Sequence, residues 1–397
     1  MHFRAMQKTK KKLIPLNIPL LKGNEKKYLN DCLKSNYVSS VGPFVKEFEK
    51  KFSKKIGSKY AVACSSGTSA LHLALLSLYI GEGDLVIAPN LTFVATINSI
   101  KYVGAEPILM DIDENTGHLD LKLLEKFLLK ECFLKGKNCF HKISKKIIKA
   151  IIPVHILGHA VDMLKLRQLS KKFFLHIIED AAEALGVSYR KKNVGTFGVI
   201  GCFSFNGNKT ITSGSGGMVV TDSKSLAIRI KYLSTQAKDD EKEFIHNEIG
   251  YNYRMSNIHA AIGLAQLEKL NLYLGFKKKL AYHYMKALKE IDGISWLKPI
   301  NEVKSSWWLF TLVNNVNITK ISSKKIIKSL NTNGIEARQL WKPINLLPPY
   351  RKSICIGGKQ SYKLYSSAIS LPSSASLNNA DQKKVIESLR DIINNNI

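Results

Sequence analysis

Tyr60-Ala61-Val62-Ala63-Cys64-Ser65-Ser66-Gly67-Thr68-Ser69-Ala70-Leu71-His72-Leu73-Ala74-Leu75-Leu76-Ser77-Leu78 is the stretch that decides the fold. A short β-rich run ends in a turn of hydroxyls and glycine, and from Thr68 the pattern becomes helical, with Leu71, Leu75 and Leu78 on one face. The same alternation continues outward from it. Further β-rich runs at 85–88, 107–111, 149–154, 175–179, 201–205 and 217–221 mostly end in Gly, Ser, Asp or Asn, with amphipathic stretches between several of them. Strands and helices alternating at this spacing imply a mainly parallel sheet covered by helices on both faces, a doubly wound α/β domain.

Beyond Met255 the pattern lengthens into helices at 257–272 and 275–291, and Gly293 and Pro299 then mark a boundary. A strand at 307–313, a helix at 322–331, a strand at 334–339 and a closing helix from Asp381 describe a smaller C-terminal α/β unit. The expected division is an N-terminal arm over 1–22, a large α/β domain over 23–270 and the smaller domain over 271–397. The segment 130–146, rich in Lys and Cys and weak in periodicity, reads as an inserted surface loop.

Composition narrows the functional classes. A chain of 397 residues, 45% hydrophobic and 23% charged, has room for two or three packing units and is neither disordered nor a disulfide scaffold. Its 60 Lys and Arg against 31 Asp and Glu give a net charge of +29, yet only eight of the 60 are Arg. Nucleic-acid readers rely on Arg for bidentate contacts, so scattered Lys reads as solvated helix faces, with attraction for anionic partners as the alternative. Neither nucleic acid nor a membrane is expected as a partner: the longest apolar run, near Ile147 to Ile156, is interrupted by Lys149, Pro153 and His155. The six cysteines form no C-x-x-C pair and no metal-ligand spacing, which points to a reduced, cytoplasmic protein without a metal. Lys8, Lys10, Lys11 and Lys12 are followed by Pro15 and Pro19 rather than by the apolar core of a signal peptide.

Three elements carry chemistry. In Phe203-Ser204-Phe205-Asn206-Gly207-Asn208-Lys209-Thr210-Ile211-Thr212-Ser213-Gly214-Ser215-Gly216-Gly217 a strand runs into a glycine-rich turn holding one lysine. Partial desolvation makes such an amine easier to deprotonate and able to attack a carbonyl, although a lysine in such a loop also serves as a surface or phosphate-binding residue. Asp180 ends an apolar strand, at the edge where open α/β sheets bind ligands, and is able to cap a helix, bind a metal or ribose, or face a pyridinium nitrogen. Ser65-Ser66-Gly67-Thr68 opens a helix, either as a plain N-cap or as an anion site. A lysine and an acid at neighbouring strand ends favour pyridoxal phosphate (PLP), whose ring needs a carbonyl partner and a carboxylate at its nitrogen.

Together with Thr92-Phe93-Val94-Ala95-Thr96, Pro153-Val154-His155, Glu179-Asp180-Ala181-Ala182 and Gly250-Tyr251-Asn252-Tyr253-Arg254-Met255, these elements resemble the PLP-dependent nucleotide-sugar aminotransferases of the DegT/DnrJ/StrS type over 15–372. The resemblance implies the PLP fold type I: a large domain with a mainly parallel sheet flanked by helices, plus a smaller C-terminal α/β domain. It implies that Lys209 binds PLP covalently, Asp180 holds the pyridinium nitrogen, Phe93 stacks on the ring, and Gly67, Thr68 and Ser204 bind the phosphate. Glu183, where Gln or His is usual, also joins the cofactor site, while His155, Arg254 and Arg338 bind substrate. Asn252 and Arg254 reach the neighbouring subunit's cofactor, which makes the protein a homodimer with shared sites.

Glu183 and the stretches 153–163, 205–209 and 246–254 look like the branch that aminates C4 of UDP-4-keto-6-deoxy-N-acetylglucosamine, with glutamate as donor. GDP-perosamine synthases share the Glu183 variant and are the alternative. Asn345 stands where a histidine is expected after Trp341, and Ser256 where Pro or Thr is usual. Two other classes are weighed: a sugar dehydratase, against which Lys209 speaks, and a DNA-binding regulator on the same fold, for which no helix-turn-helix or Arg-rich stripe appears.

Overall fold

The computed structural model describes residues 13–240 and 242–395, so the first part of the N-terminal arm, with Lys8 to Lys12, lies outside the described residues. The central sheet runs in the order Tyr60–Cys64, Gly217–Thr221, Ile200–Ser204, His176–Asp180, Ile147–Ile151, Asp84–Pro89, Glu106–Met110, Ile354–Ile356. Gly217–Thr221 is antiparallel to both of its neighbours, and the strands from Ile200–Ser204 to Ile354–Ile356 pair in parallel.

Successive residues of each strand serve opposite cores, as the period of two requires. Ile177, Ile151 and Ile108 join Phe48, Phe52, Phe127 and Phe203 on one face. Ile178, Ile152 and Leu109 join Leu71, Leu75 and Ile97 on the other. With both faces covered, the side chains at the strand ends are the ones left to reach a ligand. The ends of Tyr60–Cys64 and Ile200–Ser204 both pair with Gly217, and Cys202 pairs with Asp180, so the segments at 65–68, 180–183 and 204–209 leave one edge together.

A third core gathers Leu280, Tyr284, Phe310, Ile326, Ile335, Val385 and Leu389 around a small antiparallel sheet of Ile294–Trp296, Thr311–Asn314 and Ala368–Ser370. Ile14 of the arm is buried in that core, and its backbone exchanges hydrogen bonds with Gly334 and Glu336 at 2.8 and 2.9 Å.

Several expectations need correction. The segment 130–146 is not a loop: Cys132–Lys135 and Asn138–His141 form a hairpin, and Cys139 pairs with Ile148 to extend the sheet. Buried Cys132, Cys139 and His141 alternate with outward residues over too few positions to show as a pattern amid the lysines. Residues 334–339 form no strand: Ile335 bridges Ile14 and Arg338 bridges Ser370, two isolated bridges to different partners with no continuous ladder. Of 307–313 only the end is paired, in Thr311–Asn314, because Trp307 turns at a φ of 50°. The helix break falls at Lys269 and leaves Gly275 inside the helix Leu270–Leu288. Ser256, one of the departures from the family pattern, caps the helix Asn257–Glu268 by accepting the His259 N–H.

Candidate active site

The strand ends open into a cleft of about 510 Å³. At one end begins the eleven-residue helix Gly67–Ser77, where Ser66 Oγ accepts the Ser69 N–H at 3.0 Å and Ser69 Oγ accepts the Ser66 N–H at 2.9 Å. This reciprocal cap leaves the N–H groups of Gly67 and Thr68 without helical partners, at the positive end of the dipole. Glycine is required at 67 because a Cβ there would lie 2.7 Å from Ser204 Cβ. Backbone donors and the Ser204 hydroxyl thus converge on one small space suited to an anion.

Asp180 lies across the cleft, buried. Its Oδ2 accepts from Thr96 Oγ1 at 2.8 Å and its Oδ1 from the Ala182 N–H at 3.1 Å, and Thr96 is braced in turn by Thr92 at 3.0 Å. Burial pushes this carboxyl above the ordinary Asp range, against the pull of the Thr96 and Ala182 bonds and the Lys209 charge.

Lys209 and Glu183 face each other. Lys209 Nζ is 3.4 Å from Glu183 Oε1 and 4.1 Å from the centre of the Trp308 ring, a cation–π contact. Glu183 Oε2 accepts the Leu157 N–H at 2.9 Å. That N–H is presented by a tight turn in which Leu157 takes a φ of 58° and Gly158 a φ of 85°. A Cβ at Gly158 would meet Ser306 Oγ at 2.5 Å and Trp308 N at 2.6 Å, so the turn presses directly on the Trp308 segment. Burial raises the Glu183 carboxyl above its ordinary range, opposed first by the Lys209 charge.

Of the residues named from sequence, Lys209, Asp180, Glu183, Gly67, Thr68, Phe93, Ser204 and Arg338 all line this cleft, and Phe93, 54% exposed, turns an open aromatic surface into it. Arg338 Nη2 donates to Glu336 Oε1 at 2.5 Å. His155 does not line it. Just past the strand Ile147–Ile151, Val154 lines the cleft while His155 is turned inward, fully buried, where Nδ1 accepts the Val161 N–H at 3.2 Å and Nε2 donates to Glu179 at 3.0 Å. Glu179 also accepts from the N–H groups of Gly195, Phe197 and Gly198, so His155 braces the sheet behind Asp180 and stands outside the lining where a substrate contact was expected. Asn252 and Arg254 are absent from the lining of their own chain's cleft; Arg254 Nη2 donates to the Ser40 carbonyl at 2.8 Å. Asn345 also stands back, exchanging two 3.0 Å hydrogen bonds with buried Asn90.

The sequence reading gave no role to Thr96, Trp308, Gln339, Leu340 or Trp341, all of which line the cleft. The i, i+4 spacing of Thr92 and Thr96 and the doublet Trp307-Trp308 were the signals available for two of them. A wider groove of about 900 Å³, with Arg167, Lys171, Phe174 and His176 in its lining, holds none of these groups. Among the described residues no cluster of three His, Cys, Asp or Glu is placed to hold a metal ion, and no helix is long and apolar enough to cross a membrane.

Residues 19–390 match the DegT/DnrJ/EryC1/StrS aminotransferase family. The chain belongs to that family. It is 39% identical over 387 residues to the GDP-perosamine synthase of Escherichia coli O157:H7, covering 96% of this chain and 98% of that one. It is 37% identical over 382 residues to the GDP-perosamine synthase of Caulobacter vibrioides, again covering 96% and 98%. A putative sugar aminotransferase from Streptococcus pneumoniae, solved in its PLP form, superposes with a TM-score of 0.84 at 26% identity, covering 97% of this chain and 100% of that one. The protein is a PLP-dependent sugar aminotransferase. The cleft of this aminotransferase fits PLP chemically: an anion cradle that a single Cβ would fill, a buried carboxylate braced by Thr96, an amine beside Glu183, and an open aromatic surface.

Proposed function

We propose that the protein moves an amino group from an amino acid, glutamate by family resemblance, to the C4 keto carbon of a nucleotide-linked 4-keto-6-deoxy sugar. The sugar is GDP-4-keto-6-deoxymannose, giving the perosamine-type amino sugar. The observation that carries this is the 37–39% identity, over nearly the whole chain, with two proteins named GDP-perosamine synthase. It favours the GDP sugar over the UDP-N-acetyl sugar that the motifs at 153–163 and 205–209 suggest.

Bound PLP supplies an electron sink that lets an amino acid lose its α-proton and pass on its nitrogen. In this reading Lys209 holds the cofactor and, once released, its Nζ moves the proton at the reacting carbon, being the amine nearest to it. Asp180 keeps a negative charge at the ring nitrogen, with Thr96 fixing its orientation. The first N–H groups of the helix Gly67–Ser77, with Thr68 and Ser204, take the phosphate. Glu183 offers the released Lys209 amine a partner 3.4 Å away, and Trp308 shields the same nitrogen from water. The working unit is a homodimer in which Asn252 and Arg254 serve the partner's site; their absence from their own cleft supports this.

The test offers glutamate with each keto sugar, made in situ by its dehydratase, and follows the amino sugar by mass spectrometry. Faster amination of GDP-4-keto-6-deoxymannose is expected. Preference for UDP-4-keto-6-deoxy-N-acetylglucosamine would move the substrate to the UDP branch and leave the aminotransferase assignment standing.

A further inference from the structure

Lys277 is a lysine out of place. It lies on the helix Leu270–Leu288, only 2% exposed, and none of the ion pairs among the described residues involves it. Its Nζ donates instead to three neutral acceptors: the Ser373 carbonyl at 2.6 Å, the Trp308 carbonyl at 3.1 Å and Asn17 Oδ1 at 3.2 Å. Three acceptors match the three hydrogens of an ammonium. Burial pushes the group down to about 7, so a charge here works against stability, and a methionine of similar volume would avoid that penalty. What the lysine adds is the ability to tie three segments of chain at one point.

Two of those segments converge again at the active site. The Asn208 carbonyl, which belongs to the peptide joining Asn208 to Lys209, accepts from Asn17 Nδ2 at 2.5 Å and from Trp308 Nε1 at 2.7 Å. Both donors belong to residues that themselves accept from Lys277. The indole that grips this carbonyl is also the ring lying 4.1 Å from Lys209 Nζ. The arm residue Asn17 and the indole of Trp308 therefore hold the reactive lysine's own peptide, and Lys277 holds both of them.

We propose that Lys277 is a positioning residue for Lys209, fixing the Lys209 peptide and the indole face against its amine through Asn17 and Trp308. Lys277 touches no reacting atom; it acts by setting where the Lys209 amine sits before it meets a carbonyl. The inference rests on the assignment of Lys209 as the PLP-bearing residue.

The test measures how fast PLP added to the apoprotein acquires the visible absorbance of a lysine-bound form, and the pH midpoint of that absorbance. Wild type is compared with Lys277→Met, Asn17→Ala, Trp308→Phe and the double variant Lys277→Met/Asn17→Ala. Displacing a reacting group by an ångström can cost up to about 100-fold, so Lys277→Met is expected to slow capture about 10- to 100-fold and to shift the midpoint. Asn17→Ala is expected to slow it less, and to add little in the Lys277→Met background because both act through one tie.

Unchanged capture rate and midpoint in Lys277→Met, whichever way its melting temperature moves, would overturn the proposal, as would additive effects in the double variant. Should Lys277→Met fail to fold, Asn17→Ala and Trp308→Phe decide the matter: slowed capture in both supports the tie, and wild-type capture in both refutes it. Borohydride fixation followed by peptide mapping separates the two assignments. PLP fixed on a different peptide would defeat the Lys209 reading, whereas PLP on the Lys209 peptide with unaffected variants would defeat only the role of Lys277.

Discussion

The two walls of the cleft are built on different principles. One is made of strand ends, where Ser66 to Thr68, Asp180 to Glu183 and Ser204 to Lys209 leave the same edge of the sheet at positions fixed by register. The other is made of irregular chain, Trp308 and Arg338 to Trp341, held by contacts between residues far apart in sequence such as the Asn90–Asn345 pair. Register tolerates almost no adjustment, because a slip of one residue turns every side chain to the opposite face. Irregular chain moves when a single distant contact changes. Chemistry that needs fixed geometry is therefore expected on the first wall, and recognition of the variable part of the substrate on the second.

The sharpest way to break this division is at Lys209. Lys209→Ala removes both the cofactor's anchor and the proton carrier, and a loss of at least about 10²- to 10⁴-fold in turnover is expected, with no PLP fixed by borohydride. Mixing these subunits with an Asn252→Ala/Arg254→Ala variant tests the shared site as well. One composite site of each heterodimer is rebuilt whole, so activity should return to about half per heterodimer, or about a quarter in a random mixture. No recovery in verified heterodimers would place Asn252 and Arg254 in their own subunit's site.

Gly67→Ala probes the same wall without touching the reacting groups. The added Cβ would stand 2.7 Å from Ser204 Cβ, so the helix start or the strand end must shift. Overpacking of this kind costs roughly 1–3 kcal/mol, which should appear as weaker PLP binding by about 5- to 150-fold in an equilibrium titration of the apoprotein. Unchanged PLP affinity would show that the phosphate is held elsewhere.

How far each wall was legible in the sequence follows from the same contrast. Strand ends announce themselves locally, through an apolar run that stops at Asp180 or a turn rich in glycine and hydroxyls before Lys209. Most central strands therefore fall within two residues of their expected places, and the cleft collects Lys209, Asp180, Glu183, Gly67, Thr68, Phe93, Ser204 and Arg338, though not Asn252 or Arg254. His155 sits inside one of those motifs yet faces away, because it is held inward by Glu179 and the Val161 N–H, contacts from residues 24 and 6 positions along the chain, and Val154 takes the cleft. Trp341 carries no local pattern, and the doublet Trp307-Trp308 does not say where either ring goes. The positions of Trp308 and Trp341 depend on Gly158, Lys277 and Asn90, residues 31 or more positions away whose contacts only folding reveals. The hairpin at Cys132–His141 was hidden for a related reason: it is short and its exposed positions are filled with lysine.

The second wall is probed by Asn345→Ala. The change deletes the acceptor for Asn90 Nδ2, a side chain with no exposed surface, and leaving a buried donor unpaired costs about 1–3 kcal/mol. Because Asn345 itself does not line the cleft, the expected effect is loosening of the segment that carries Trp341. KM for the keto sugar should rise severalfold while KM for the amino acid donor and the PLP absorbance stay as in wild type. A change in the absorbance instead would mean that the two walls are not separable.

The smallest effect is expected from Glu183→Gln, read as stability of the apoprotein against pH. Glu183 is buried and its carboxyl lies above the ordinary Glu range, burial outweighing the Lys209 charge and the Leu157 N–H. For an acid whose folded value is raised, the unfolded chain gives up its proton first as pH climbs. Stability from this group is therefore complete below the unfolded value near 4.5 and falls as pH rises through the raised folded value. Glutamine keeps an oxygen for the Leu157 N–H and carries no charge to desolvate. Glu183→Gln should thus match wild type near pH 4, gain stability over it near pH 7, and do so in denaturant midpoints measured without cofactor. An equal shift at both pH values would mean that packing, not charge, separates the two side chains, and a loss at pH 7 would mean that the pair with Lys209 outweighs the burial of the carboxylate.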